Sequence, residues 1–108
     1  VSGQHNVSKW TETTTANNSA ATATRTAESG KSHYVTSVHG SFSAANIKLM
    51  TLKDGATIIG NFHVHNQRDV IFDKPVRITQ GNAAVVELAA SGTGGEIGAV
   101  TMCGYTVE

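Results

Sequence analysis

The side chains with the widest chemical reach in this chain of 108 residues are its histidines. His63 and His65 stand one residue apart within TIIGNFHVHNQRDVIFDKPVRI, residues 57–78. On a strand, residues i and i+2 leave from the same face. The pair would then present two imidazoles side by side, an arrangement that binds a divalent metal once a third ligand joins. His33 and His39, in HYVTSVHGSFS, are the candidates for that third nitrogen from an adjacent strand. Two imidazoles alone hold a metal weakly, so the preferred reading is a polar pair at a surface or interface, with no metal and no cofactor.

Cys103 could act as a nucleophile with His33 or His39. It shares strand parity with Ile97, Ala99 and Tyr105, however, which places it inside and chemically inert. Glu87 and Glu96 sit near different turns, and no Gly-x-Ser-x-Gly, phosphate loop or paired-carboxylate pattern is present. The expectation is a protein without catalytic residues, not an enzyme.

Whatever these side chains do, strands must position them. In residues 57–65, Ile58, Phe62 and Val64 alternate with Thr57, Asn61, His63 and His65, the period of a half-buried strand. After the polar Asn66-Gln67-Arg68, alternation resumes with Val70 and Phe72, then Val76 and Ile78. Phe62, Val64, Val70 and Phe72 are the expected centre of the core. Pro75 cannot donate to a ladder, so this second strand is an edge strand or is interrupted there. Upstream, HYVTSVHGSFS places Tyr34, Val38 and Phe42 on one face, with Gly40 marking a bulge or a close approach. NIKLMTLKD changes parity between Ile47/Leu49 and Met50/Leu52, and Asp54-Gly55 is a hairpin turn. Downstream, Val86, Leu88 and Ala90 share a face, and the last strand puts Ile97, Ala99, Cys103, Tyr105 and Val107 on one side. About seven or eight short strands with regularly spaced turns predict an all-β, jelly-roll-like antiparallel sandwich.

Two domains of unequal kind are expected. Residues 19–108 would form the sandwich, with AATATRTA (20–27) as a flat edge strand. Residues 1–18 are too poor in apolar groups to build a core, and read as an extended arm whose Val7 and Trp10 anchor it on a neighbouring molecule. A second apolar set, Val35, Ile59, Ile71, Val85, Val100 and Met102, lies opposite the assigned core residues. With His63 and His65 it is assigned to a subunit interface, closed cyclic symmetry being the usual form.

Charge and composition exclude other partners. Formal net charge is zero and aromatic residues are 6%, so neither nucleic acid nor an anionic membrane is an expected partner. No apolar run is long enough for a membrane helix, no signal peptide is visible, and a single cysteine allows no intrachain disulfide.

HYVTSVHGSFSA, FHVHNQRDVIFDKPVRI and AASGTGGEIGAVTMCGYT together resemble the small jelly-roll virion proteins of tailed bacteriophages, over roughly residues 32–107. That resemblance implies a structural role with no catalytic residues. The expected form is a homotrimer on the capsid surface that bridges major capsid proteins, a decoration or cement protein of the virion. A tail-fibre or receptor-binding head with the same fold is the first alternative, using the loop around residues 91–96. His63-Val64-His65 followed by Asp69 is similar to the first cupin motif, making a cupin-like metal protein the second. No histidine follows His65 to complete the second cupin motif. A carbohydrate-binding module is a further option, disfavoured because exposed aromatics for stacking on sugar are not expected.

Overall fold

In a computed structural model that describes residues 7–108, eight strands and no helix account for the regular structure. They are β1 (Val7–Asn17), β2 (Ala21–Arg25), β3 (Ser32–Phe42), β4 (Ile47–Asp54), β5 (Thr57–His65), β6 (Gln67–Arg77), β7 (Ala84–Leu88) and β8 (Ile97–Val107). Every pairing is antiparallel. One sheet runs β1-β8-β3-β6, the other β2-β7-β4-β5, and the single pairing His65–Gln67 joins them. That order is a long hairpin folded over on itself, the jelly roll the alternation predicts. The connection from one sheet to the other is shorter than Asn66-Gln67-Arg68. It is Asn66 alone, in the left-handed region (φ 65°), where asparagine is among the few tolerated side chains.

The core sits between the sheets at Val35, Val38, Phe42, Met50, Leu52, Val64, Ile78, Val86, Leu88, Val100 and Met102. Of the four residues expected at its centre only Val64 is fully enclosed. Phe62, Val70 and Phe72 are partly buried and pack against the core from one side. The reason is topological: β5 and β6 are outer strands of their sheets, and their inward side chains border an edge. On β4 the parity change reflects burial on both faces at Met50, Thr51 and Leu52, while Ile47 and Leu49 are exposed.

Three assignments of strand face are corrected. On β8 the inward residues are Gly98, Val100, Met102, Gly104 and Thr106, whereas Ala99, Cys103 and Tyr105 are half-exposed outside. The inward face of β8 carries two glycines and a threonine, so it looks polar and small in the sequence. Gly104 is required there. A Cβ at 104 would collide with the Tyr34 carbonyl oxygen and meet the Trp10 ring at 2.8 Å. On β3 a bulge between Val35 and Ser37 turns Val35 into the core and Tyr34 outward. On β5 a second irregularity opposite Leu52 and Lys53 pairs Gly60 with Leu52 and Ile58 with Lys53, leaving Ile59 as the extra residue. Ile58 therefore does not share a face with Phe62 and Val64. Gly40 does mark a close approach, with the Met50 sulfur 3.0 Å from where its Cβ would lie.

The arm is corrected as well. Residues 7–17 are strand β1, paired with β8 along its whole length from Val7–Val107 to Asn17–Ile97. Trp10 is 8% exposed and belongs to this chain's own core. The domain boundary expected at residue 18 is not present within the described chain; the part of the arm before Val7 lies outside the described residues.

Candidate functional site

The histidines do not converge. His63 and His65 are exposed on β5, paired with Leu49 and Ile47 of β4. His39 lies on the outer face of the other sheet, its Nδ1 in a short hydrogen bond with Asp69 on β6. His33 is fully buried. Its Nε2 lies 2.8 Å from the Thr26 carbonyl oxygen, which can only accept, so Nε2 carries a proton. Nδ1 can then accept from the Thr106 hydroxyl at 2.6 Å, and that oxygen in turn accepts the Trp10 indole N–H at 2.9 Å. One tautomer thus satisfies the whole chain Trp10–Thr106–His33–Thr26. Such a histidine is a structural pin. Among the described residues no group of three or more His, Cys, Asp or Glu side chains is placed to hold a metal.

Cys103 is half-exposed rather than enclosed, 3.7 Å from the Thr11 hydroxyl. It helps line an open depression of about 530 Å³ with Lys9, Trp10, Thr11, Thr36, Gly104 and Tyr105, with no histidine or carboxylate among them. Beside it, Tyr34 and Tyr105 stack nearly parallel at 5.1 Å on the outer face. That aromatic pair was not expected, because both tyrosines had been assigned to the core. The carboxylates are tied down. Glu96 accepts from Asn46 Nδ2 at 3.1 Å, and Glu87 accepts from Lys53 at 3.4 Å. Asp54 is partly buried, which opposes its charge, yet it accepts from Thr79 Oγ1 (2.7 Å), Asn82 Nδ2 (2.9 Å) and Thr79 N–H (3.0 Å). The hydrogen bonds outweigh the burial and hold its carboxyl below the ordinary value of 3.8. Among the described residues every buried side-chain nitrogen and oxygen has a partner.

What the structure offers instead is a surface. Of the residues assigned to a subunit interface, Val35, Val100 and Met102 are wholly buried between the sheets and present nothing to a partner. This corrects their assignment, and its cause is the parity error on β3 and β8. Val85 is half-exposed on β7. Ile59, His63 and His65 on β5 and Ile71 on β6 remain accessible, with Ile71 82% exposed. Ile58 joins them, also on β5. These residues lie on the two strands that border one side of the sandwich. Between them Phe62 and Phe72 meet at 6.1 Å, with the Arg68 guanidinium 6.0 Å from the Phe62 ring. Exposure of several branched apolar side chains at one edge is the kind of feature that marks an interaction surface. Alternation alone could have found Ile71, but not Ile58, which the irregularity in β5 moves. Val7, the other proposed arm contact, is exposed at the start of β1.

No protein-family model matches the chain, and no curated protein matches it. Among solved structures it is similar to the CBM36-1 domain of a multidomain xylanase from the hindgut metagenome of Trinervitermes trinervoides. That likeness has TM-score 0.42 and 19% identity, over 89% of this chain and 75% of the other. It is also similar to Aeromonas hydrophila PliG, a periplasmic inhibitor of g-type lysozyme, with TM-score 0.39 and 10% identity over 97% and 90%.

Proposed function

We propose that this chain is a non-enzymatic structural protein of a virion: a capsid decoration protein that trimerises and bridges major capsid proteins on a phage head. The observation that carries the reading is the uncovered β5–β6 side, where Ile58, Ile59 and Ile71 are exposed next to half-buried Phe62 and Phe72. Branched apolar side chains exposed along two edge strands suit assembly with other protein surfaces. Zero net charge suits a protein shell as partner better than nucleic acid. Binding across several capsid joints would draw on avidity, so no single deep pocket is needed.

The reading no longer relies on residues 7–17 as a reaching arm, since Trp10 is part of the core. Particles purified from the source of this chain should carry it in high copy number, as protrusions at regular positions on the head in low-resolution images. Absence from purified particles, or a few copies at a tail tip, overturns the decoration role; the second outcome points to a fibre head. Stoichiometric metal in the purified protein, lost on His63→Ala, would favour the cupin-like reading instead.

A further inference from the structure

Two strand edges are free on the same side of the sandwich, and they differ in character. β5 pairs with β4 on one edge, and on the other meets β6 only through His65 and Gln67. β6 pairs with β3 at Gln67–Ile71 and Val76–Arg77, with Phe72–Pro75 out of register, and with nothing else beyond that contact. The free edges are pinned together at both ends. Asn66 joins them at one end, and Asp54, at the start of the β4–β5 turn, binds Thr79 and Asn82 beyond β6 at the other. Between these pins the strands diverge. Natural edge strands are normally blunted by charge, proline or bulges. β6 follows that rule, with Arg68, Asp69, Asp73, Lys74, Pro75 and Arg77. β5, from Thr57 to His65, has no Asp, Glu, Lys, Arg or Pro in nine residues; its one blunting feature is the irregularity at Ile59, and it exposes Ile58 and Ile59.

We propose that the free edge of β5 pairs with the free edge of β6 of a second copy of this chain, head to tail, and that three such contacts close a ring. The proposal rests on the trimeric reading above and supplies its interface. Three features favour this occupant. A ring needs two different, mutually fitting surfaces on each copy, and the two edges are different and lie side by side. The regular part of the β6 edge is Gln67–Ile71, and a two-fold pairing centred on it would set Asp69 against its own copy; like charges directly opposite are destabilising. Uncharged β5 meets β6 with no such opposition. Finally, one β5–β6 contact per copy uses both sets of free backbone groups, whereas a two-fold β5–β5 contact would leave the β6 edge unpaired. The His63 carbonyl already accepts from Arg68 at 3.1 Å, so pairing is expected along residues 57–62 of β5.

Single cysteines at Ile59 and at Ile71, in a Cys103→Ala background, test the geometry with a short thiol-to-thiol cross-linker at micromolar protein. Cross-linked species are expected when the two variants are co-expressed, and not with either variant alone. A variant that cross-links to itself indicates a two-fold contact and overturns the proposal, as does the absence of any cross-link. Light scattering gives the second reading. Wild type should have trimer mass, and Ile59→Lys or Ile71→Lys should reduce it to monomer mass with the circular dichroism unchanged. A wild-type monomer, or a trimer indifferent to both lysines, also overturns it. Head imaging stays separate: a cross-linked trimer missing from particles removes the decoration role and leaves this interface standing.

Discussion

The two long sides of the sandwich are closed in opposite ways. On the β1–β2 side, Trp10 fills the gap between the sheets. It donates to Thr106, meets the His33 ring edge-on at 5.9 Å, and lies 5.6 Å from the Arg25 guanidinium. Arg25 in turn pairs with Glu12 at 3.1 Å and with Glu28 at 3.8 Å. Edge strands from both sheets are thereby tied by one aromatic plug under an ionic cover. The β5–β6 side has two phenylalanines for a plug, neither fully buried, and Arg68 as its cover. One side is closed by the chain's own buried ring, and the other keeps its aromatic pair only partly buried. Both sides use an arginine over an aromatic ring, so the motif does not distinguish them. The difference is whether buried hydrogen bonds lie beneath it.

The strongest way to break this comparison is at the plug. Removing residues 1–18 deletes β1 and Trp10, and is expected to abolish the cooperative unfolding transition rather than leave a folded oligomer. A cooperative transition retained by that truncation would show the closed side to be dispensable. Trp10→Ala keeps the strand and should cost about 3–5 kcal/mol in urea denaturation, the usual range for an aromatic core truncation. Phe72→Ala should cost distinctly less in the isolated protein, about 1–2 kcal/mol, because its ring is already half in contact with water. Equal losses at the two positions would erase the distinction between the sides.

The same contrast can be sharpened with histidines. His33→Ala leaves the Thr26 carbonyl and Thr106 hydroxyl short of partners in the interior and removes a buried ring. The expected loss is on the order of 3 kcal/mol. His39→Ala removes a pair with Asp69 that is open to solvent, with side-chain exposures of 37% and 68%, and should fall within about 0.5 kcal/mol. Chemical denaturation of the two variants side by side reads the difference directly. If His39 costs as much as His33, the outer face of β3 and β6 is more than a solvated surface.

These contrasts also mark how far the sequence is legible. Strand alternation, the turn at Asp54-Gly55 and Pro75 are local signals, and the sandwich follows from them except for β1, whose residues read as an arm. The face of β8 is not local. Its inward residues are glycines where Trp10 and Phe42 cross them, and Gly98 and Gly104 carry no apolar signal of their own. Trp10 looks like an arm anchor because its inward neighbours on β1 are Glu12, Thr14 and Ala16, a polar strand on which one large ring fills the end of the core. His33 looks like a polar surface residue until Thr106, far away in sequence, is brought beside it. The site is legible only in part, since Ile71 and the β5 histidines follow from periodicity whereas Ile58 depends on an irregularity in the β4–β5 ladder. Loss of local signal is greatest where a residue's partner lies on another strand of different parity.

The smallest expected effect concerns how the open side is held. Asp54 anchors Thr79 and Asn82, and so fixes the far end of the β5 and β6 edges across the two sheets. Its hydrogen bonds favour the carboxylate despite partial burial, and its carboxyl is held below the ordinary range. The unfolded chain therefore takes up the proton first as pH falls. The contribution of Asp54 to stability is complete above the unfolded value, near 3.8, and is lost progressively as pH drops through the lower folded one. Asp54→Asn keeps an acceptor oxygen but loses the charge, so it should cost less than about 1 kcal/mol at pH 7. The gap between wild type and variant should stay constant down to about pH 5 and then narrow. Urea midpoints at a series of pH values measure this. A gap that widens on acidification would mean that Asp54 is stabilised in its protonated form, and that the clamp at the open side is built differently from its hydrogen bonds.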